Sequence, residues 1–565
     1  MDFQDFRTIA EATDWQETGR YSELIKISEA FAERFPALFR LERLGTTPEG
    51  RPLIAWIVGK HQTPEGAKAA NQSVLLFQGG IHPGEIEGKD AIIGFVKELL
   101  FEKKHGNLLQ DLTLLFVPVL NVDGHERMGA YNRPNQNGPK EMGWRANALN
   151  LNLNRDYIKA ESPEMQAFLP FLKAWDPLVY TDMHATNGAD FETDLSLLID
   201  PADFGPEPLK PVAAQLSQEL IQSLSERGHI TVPFYPTLRL EDRPESGFEL
   251  APLSPRYSQG YQGARNRLGI LVETHSWRPY KHRVKTCADI IEIVCQMAVK
   301  RGSNWREKAH AVDAMGGTIR GQDVALTCKA SDQFTMIDFK GYEYSYEYSP
   351  ISGAPWVRYH RDKKQIWRVP YYGDLRTDVA VQVPRQGYIV PAPWAPLVQE
   401  KLALHGIEWQ PLPEKAPVES LLSFRPSKFQ MSPESFEGRQ MLKVQGNWQK
   451  EPKSIGAGAL FVPIAQPKWR LVLFLLEPTS PDSLLSWGFF NAAFERKEYM
   501  EAYVTEAYAR ELLQDTDIKK SFEARLASDP AFAASAKARL DFFYERHPAW
   551  DKNYGLYPIL KWDEA

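Results

Sequence analysis

SVLLFQGGIHPGEIE, residues 73–87, is the stretch from which the rest of the chain can be read. Val74, Leu75, Leu76 and Phe77 form an apolar run that stops at Gly79 and Gly80, which predicts a buried strand emptying into a loop. His82 and Glu85 then stand at the carboxyl end of that strand. Open α/β sheets bind ligands at this edge, because the loops carry polar groups while the strands below stay apolar. One imidazole and one carboxylate three residues apart can reach a single cation.

Working outward, residues 20–36 carry Tyr21, Leu24, Ile27, Phe31 and Phe35 at helical spacing, closed by Pro36. Leu41 to Leu44 and Leu53 to Val58 read as strands around a Gly- and Pro-rich turn. Ile86 to Phe101 has a helical apolar stripe, and Leu114 to Leu120 is another apolar strand. Residues 131–149 are polar and rich in Asn, Gly and Pro, a long loop of the kind that tends to be functional. Pro163 to Trp175 predicts a helix capped by Ser162 with Pro at its first position. Leu178 to Met183 is a strand that delivers Asp182 and His184 on one face, since residues two apart point the same way. Residues 236–266 read as irregular and polar. Leu268 to Val272 is a strand leading to Glu273, and Thr286 to Lys300 is a helix. Strands that alternate with helices and are apolar on both faces predict a largely parallel sheet covered by helices. Beyond residue 305 short alternating segments such as QIWRVPYY and ALFVPIA imply β-rich packing, with helices at Pro396 to His405, Glu495 to Leu513 and in the tail. This divides the chain into 1–305, 306–415 and 416–565.

With 565 residues the chain has room for about three domains. A net charge of -7, with no basic patch, argues against a nucleic-acid partner. Cys287, Cys295 and Cys328 make no disulfide framework and read as core thiols. The first residues lack a basic segment followed by an apolar one, so no signal peptide is expected there. The most apolar run, Leu471 to Leu476, is far short of the roughly 20 residues a membrane span needs.

Four polar clusters now fall at strand or loop ends: His82 with Glu85, Arg145 with Asn154 and Arg155, His184, and Glu273. Two imidazoles and a carboxylate leave zinc a fourth position for water, as catalytic rather than structural sites do. Glu273 is then the candidate base for water activated by the metal. Arg145 is the candidate cation for a developing oxyanion. Asn154 beside Arg155 suits a carboxylate held by two hydrogen bonds, which specifies a substrate with a free carboxylate.

HPGE, NLNRDY, TDMHAT and LVETHS, in this order, resemble the zinc metallocarboxypeptidases of the carboxypeptidase A type over about residues 15–300. The resemblance implies a mixed eight-stranded sheet with helices on both faces, one zinc ion, and removal of a C-terminal amino acid from a peptide substrate. By match, His82, Glu85 and His184 are the zinc ligands, Glu273 the base, Arg145 the carbonyl-polarising group, and Asn154 and Arg155 the carboxylate grip. Many relatives of this type are exported, so a periplasmic or secreted form is the family expectation. The family also implies a mobile-loop tyrosine, for which SPRYSQGYQGARNR offers Tyr257 and Tyr261, with Tyr261 preferred. One departure stands out: Asn152 occupies the position at which the family carries an aspartate that orients a ligand histidine. Asp182 is a candidate substitute for that carboxylate. Two rival readings remain open: an amidohydrolase acting on N-acyl amino acids or peptidoglycan peptides, and a non-catalytic binding module on a peptidase fold. Among neighbouring polar residues, Glu87 is expected at the surface or behind a ligand, Asp123 in a turn, His125 in solvent and His275 as a hydrogen-bonded support. The aromatic residues Trp469, Trp487, Phe489 and Phe490 are read as core.

Overall fold

The computed structural model describes residues 6–564 except 103, 187–189, 413–419, 452 and 454. Nine strands come first in the chain: β1 (Phe39–Thr46), β2 (Pro52–Val58), β3 (Ser73–Gln78), β4 (Leu112–Val117), β5 (Val179–Ala185), β6 (Leu195–Asp200), β7 (Thr231–Val232), β8 (Phe248–Glu249) and β9 (Leu268–Thr274). Eight of them form one mixed sheet in the order β1-β2-β4-β3-β5-β9-β6-β7. The four central strands β4, β3, β5 and β9 run parallel. Antiparallel β1 and β2 flank them on one side, and β6, antiparallel to β9, on the other.

The central strands are buried on both faces, as their largely apolar sequence requires. The helices Glu87–Lys97 and Tyr280–Ala314 pack on each other. The crossover from β3 to β4 runs opposite to that from β4 to β5. Right-handed connections therefore place Glu87–Lys97 and the Ser162-capped helix Pro163–Trp175 on opposite faces.

The structure departs from the sequence reading at several elements. Strand β6 and the helix Lys210–Glu226 were not expected at all. The segment 236–266 is not uniformly irregular, because Ser258–Ala264 is a buried helix. The helix expected over 286–300 runs from Tyr280 to Ala314, through Gly302, Ser303 and Asn304, because Trp305, Ala309 and Val312 carry its buried stripe onward. It therefore crosses the boundary placed at 305. The boundary at 415/416 lies outside the described residues, and a six-stranded sheet draws strands from both sides of it, including Gly387–Val390 and Leu460–Pro463.

The C-terminal half packs directly on the first. The wholly buried helix Trp469–Leu476 is pinned by the Trp469 indole, which donates to the Val312 carbonyl at 2.9 Å, and by Arg470, which donates to the Gly263 carbonyl at 2.7 Å. Trp469, Trp487 and Phe490 are core residues as expected. One apolar core runs from Phe6 to Ile559, while the helices at 502–544 share a small core of their own around Phe522, Phe532 and Phe542.

Gly269 shows how tightly strand β9 is seated. A Cβ there would lie 2.6 Å from the Gln259 carbonyl oxygen and 2.8 Å from its Cα, both backbone atoms of the neighbouring helix. A glycine inside a strand often marks such an approach. Gly269→Ala is expected to destabilise the protein by about 1–3 kcal/mol through overpacking, read as a lower denaturant midpoint.

Candidate metal centre and active site

The loop after β3 turns at Gly80, whose φ of +60° lies in the left-handed region that glycine adopts without strain. It carries His82 and Glu85 into the sheet edge, where both are buried. Strand β5 supplies His184, and β9 lies beside it in parallel register, with His184 opposite Glu273. Thus three strand ends, β3, β5 and β9, converge on one point.

The donor atoms of His82, Glu85 and His184 lie within 4.8 Å of one another. The Nδ1 atoms of His82 and His184 face Glu85 at 3.3 Å and 2.9 Å. Each outer nitrogen has its own partner: His82 Nε2 lies 3.0 Å from Asn152 Oδ1, and His184 Nε2 lies 2.8 Å from Asp182 Oδ2. Such outer partners fix the ring orientation of a metal ligand. Two Nδ1 atoms and a carboxylate turned towards one another, with their far sides held, fit zinc.

Asn152 does mechanically what an aspartate would do, and its Oδ1 also accepts the Asn154 backbone N–H at 3.0 Å. Asp182 does not replace it, since it acts on the other histidine, with Gln78 donating to its second oxygen at 3.0 Å.

Charge is tightly organised. Glu85 is only 2% exposed. Burial opposes its ionisation, but His82, Arg133 and His184 hold its carboxyl well below the usual range. Burial, aided by Arg145, pulls His82 down to about 4, the neutral form a metal ligand needs. His184 moves the other way: burial opposes, but Asp182 and Glu85 win and raise it. Burial pushes Glu273 up to about 8, against the attraction of His184.

A cavity of about 290 Å³ opens over these groups, with His82, Glu85, Arg145, Asn154, Arg155 and Glu273 in its wall. Asn154 Oδ1 accepts the Ser258 N–H at 3.1 Å, which orients the amide hydrogens as the donating end. Tyr257 also lines this cavity, and the Arg155 guanidinium lies 4.3 Å over its ring. Tyr261 does not. It sits one helical turn further on, 1% exposed, with its hydroxyl 2.7 Å from His405 Nδ1. Of the two candidates it is therefore Tyr257, not the preferred Tyr261, that lines the cavity, because the unforeseen helix Ser258–Ala264 turns Tyr261 into the core.

Other polar residues resolve plainly. Arg133, which no motif marks, lies 2.8 Å from Glu85 Oε1, and Arg145 lies 3.3 Å from the same atom. Glu87 is fully buried and accepts from the Thr274 hydroxyl at 2.6 Å, behind the site. His275 is stacked on Phe191 and supported by Thr186 and Asp190. His125 is buried rather than solvated, with Glu126 at 2.9 Å. Asp123 pairs with Arg51 at 2.7 Å in a short helix instead of a turn.

Residues 24–188 match the zinc carboxypeptidase family. The matched segment holds the carboxypeptidase-type residues His82, Glu85, Arg145, Asn154, Arg155 and His184, and it ends before Glu273. Two curated proteins are similar over part of the chain. One is the inactive metallocarboxypeptidase ecm14 of Schizosaccharomyces pombe, 31% identical over 134 residues, which are 22% of this chain and 26% of that protein. The other is the inactive metallocarboxypeptidase ECM14 of Saccharomyces cerevisiae, 28% identical over 153 residues, 25% of this chain and 35% of that protein. The chain thus spans about a quarter to a third of the length of these relatives. Among solved structures, the carboxypeptidase A of Helicoverpa armigera aligns at 15% identity and a TM-score of 0.37, over 52% of this chain and 75% of that one. A metallo-carboxypeptidase from Burkholderia cenocepacia aligns at 17% and 0.36, over 49% and 68%.

The outer partners give a direct test of the metal centre. Asp182→Asn is expected to weaken zinc binding about 10–100-fold, whereas Asn152→Asp, which adds a carboxylate behind His82, is expected to strengthen it. Competition titration against a chromophoric chelator reads both.

Proposed function

We propose that this protein is a zinc-dependent carboxypeptidase that hydrolyses the C-terminal peptide bond of peptides. The observation that carries this reading is the register of β5 and β9. It sets a buried carboxyl, Glu273, directly beside a ligand-type histidine, His184, in the cavity that also holds Asn154 and Arg155. A site built only to bind a peptide has no use for that carboxyl.

In this reading Arg155 and the amide of Asn154 grip the terminal carboxylate through charge-assisted hydrogen bonds. Tyr257, flat against Arg155, borders the same end of the substrate. Arg145, with its side chain 42% exposed, polarises the scissile carbonyl and holds the negative charge that develops on its oxygen. His82, Glu85 and His184 would hold zinc, which would supply Lewis-acid chemistry that lowers the pKa of water. Glu273, beside His184 in the cavity, takes up a proton from the attacking water. It then gives the proton to the leaving amine nitrogen as the C–N bond breaks.

The residues beside Glu273 suggest which terminal side chain fits. Leu198 and Leu271 are partners across β6 and β9, one step from the Ser196–Glu273 pair on the same face. With Leu253 they give the cavity an apolar part, and its one further acid, Glu249, lies 3.8 Å from Arg239. Peptides ending in an apolar residue are expected to exceed those ending in lysine by at least about tenfold in kcat/KM, since an unpaired ammonium is costly to desolvate there.

A non-catalytic reading is favoured by one observation, that both curated relatives are named inactive. Elemental analysis combined with hydrolysis assays separates the two. The catalytic reading expects bound zinc, release of free C-terminal amino acids, and a loss of about 10²–10⁴-fold in kcat for Glu273→Gln with zinc retained. Zinc-loaded protein that releases nothing from any peptide overturns it. Turnover of N-acetyl amino acids in preference to dipeptides points to the amidohydrolase alternative, which uses the same residues.

A further inference from the structure

A second group of side chains repeats the pattern of the first. Asp194 immediately precedes β6, His229 lies in the turn between the helix Lys210–Glu226 and β7, and His282 lies in the first turn of the helix Tyr280–Ala314. Their donor atoms fall within 4.8 Å of one another. Asp194 and His229 are buried, while the His282 side chain is 36% exposed away from its buried Nε2.

The correspondence with the carboxypeptidase-type centre extends to details. The two imidazoles meet edge to face at 5.7 Å, as those of His82 and His184 do at 4.9 Å. His229 Nε2 lies 2.8 Å from Asp289 Oδ2, the relation His184 has to Asp182, and this leaves His229 Nδ1 as the coordinating atom. The only other atom close to Nδ1 among the described residues is the Thr286 hydroxyl, at a long 3.4 Å. Asp194 Oδ2 accepts the Ile230 N–H at 2.8 Å, which leaves Oδ1. That oxygen lies 3.1 Å from His282 Nε2, and this buried nitrogen has no hydrogen-bond partner among the described residues. Arg278 Nε stands 2.9 Å from the same oxygen, as Arg133 and Arg145 stand beside Glu85.

We propose that Asp194, His229 and His282 form a second divalent transition-metal site that takes zinc or a metal of similar character. Two imidazoles and one carboxylate are nitrogen and oxygen donors of the right number and type for such a metal. Asp289, the carboxylate beside His229, is already paired with Arg227 and Lys285, so the role assigned to the site is structural. It ties the start of β6 to the start of the helix Tyr280–Ala314. The segment 275–282, which continues the chain directly from Glu273, is thereby pinned at both ends, with His275 already donating its N–H to the Asp194 carbonyl at 2.8 Å.

Calorimetric titration of the metal-free full chain with zinc, followed by elemental analysis after desalting, tests this. About two zinc equivalents are expected for the native chain, and about one for His184→Ala, for His282→Ala and for Asp194→Asn. His282 is partly exposed, so its replacement is expected to leave the circular dichroism spectrum unchanged, and the equivalent retained at the other site reports correct folding. The double variant His184→Ala, His282→Ala is expected to bind none. The proposal is overturned if the native chain binds about one equivalent that His184→Ala alone abolishes, or if both His282→Ala and Asp194→Asn leave the stoichiometry at about two.

Discussion

A carboxylate cannot be buried as deeply as Glu85 and remain charged unless its surroundings replace the water it has lost. Here the replacement comes from two imidazoles, two guanidinium groups and the Ala185 N–H, which donates to Glu85 Oε2 at 3.2 Å. These groups arrive from the loop after β3, from the 131–149 loop and from the end of β5, so the demand of one buried charge dictates where several strand ends and loops must meet. The parallel centre of the sheet meets that demand, because β3, β5 and β9 all end at the same edge. A metal cation would answer the same electrostatic need more completely than the arginines do. The polar centre and the apolar sheet are therefore one design: the rigid strands below hold the charges above them in a fixed relation.

The centre was largely legible in the sequence because its residues sit where apolar runs end, and such endings can be seen without a structure. His82, Glu85, His184 and Glu273 are each within a few residues of a strand end, and alternation along β5 and β9 fixes the face on which they project. Less legible were groups whose position depends on packing between segments distant in sequence. Arg133 lies in a loop with no periodic signal, and only the fold brings it to Glu85. Tyr257 and Tyr261 could not be told apart until the short helix between them and β9 was known, because a single helical turn separates a residue on the cavity from one in the core. Strand β6 was overlooked, although its Leu198 forms part of the cavity. The extension of the long helix to Ala314 shows tertiary burial of Trp305 overriding weak local propensity.

The C-terminal half is more than an appendage. Glu437, far along the chain, accepts the Asn152 backbone N–H at 2.8 Å, and Asn152 in turn holds His82. Arg256, one residue before Tyr257, pairs with Asp482 at 2.7 Å, and His405 receives Tyr261. The walls of the cavity are thus braced from behind by elements of the second half.

The continuous core has a consequence for how the molecule can be handled and how it could have diversified. A cut after the long helix would strip the partner from Val312, Gly263 and the helix Pro163–Trp175 at once, leaving a broad greasy face in water. The two halves should therefore melt in a single cooperative transition rather than in sequence. Changes around Trp469 should in turn be felt at the sheet edge that carries His184 and Glu273. The unit on which selection acts is then the fused pair of halves, and neither can be exchanged as a cassette without redesigning the seam.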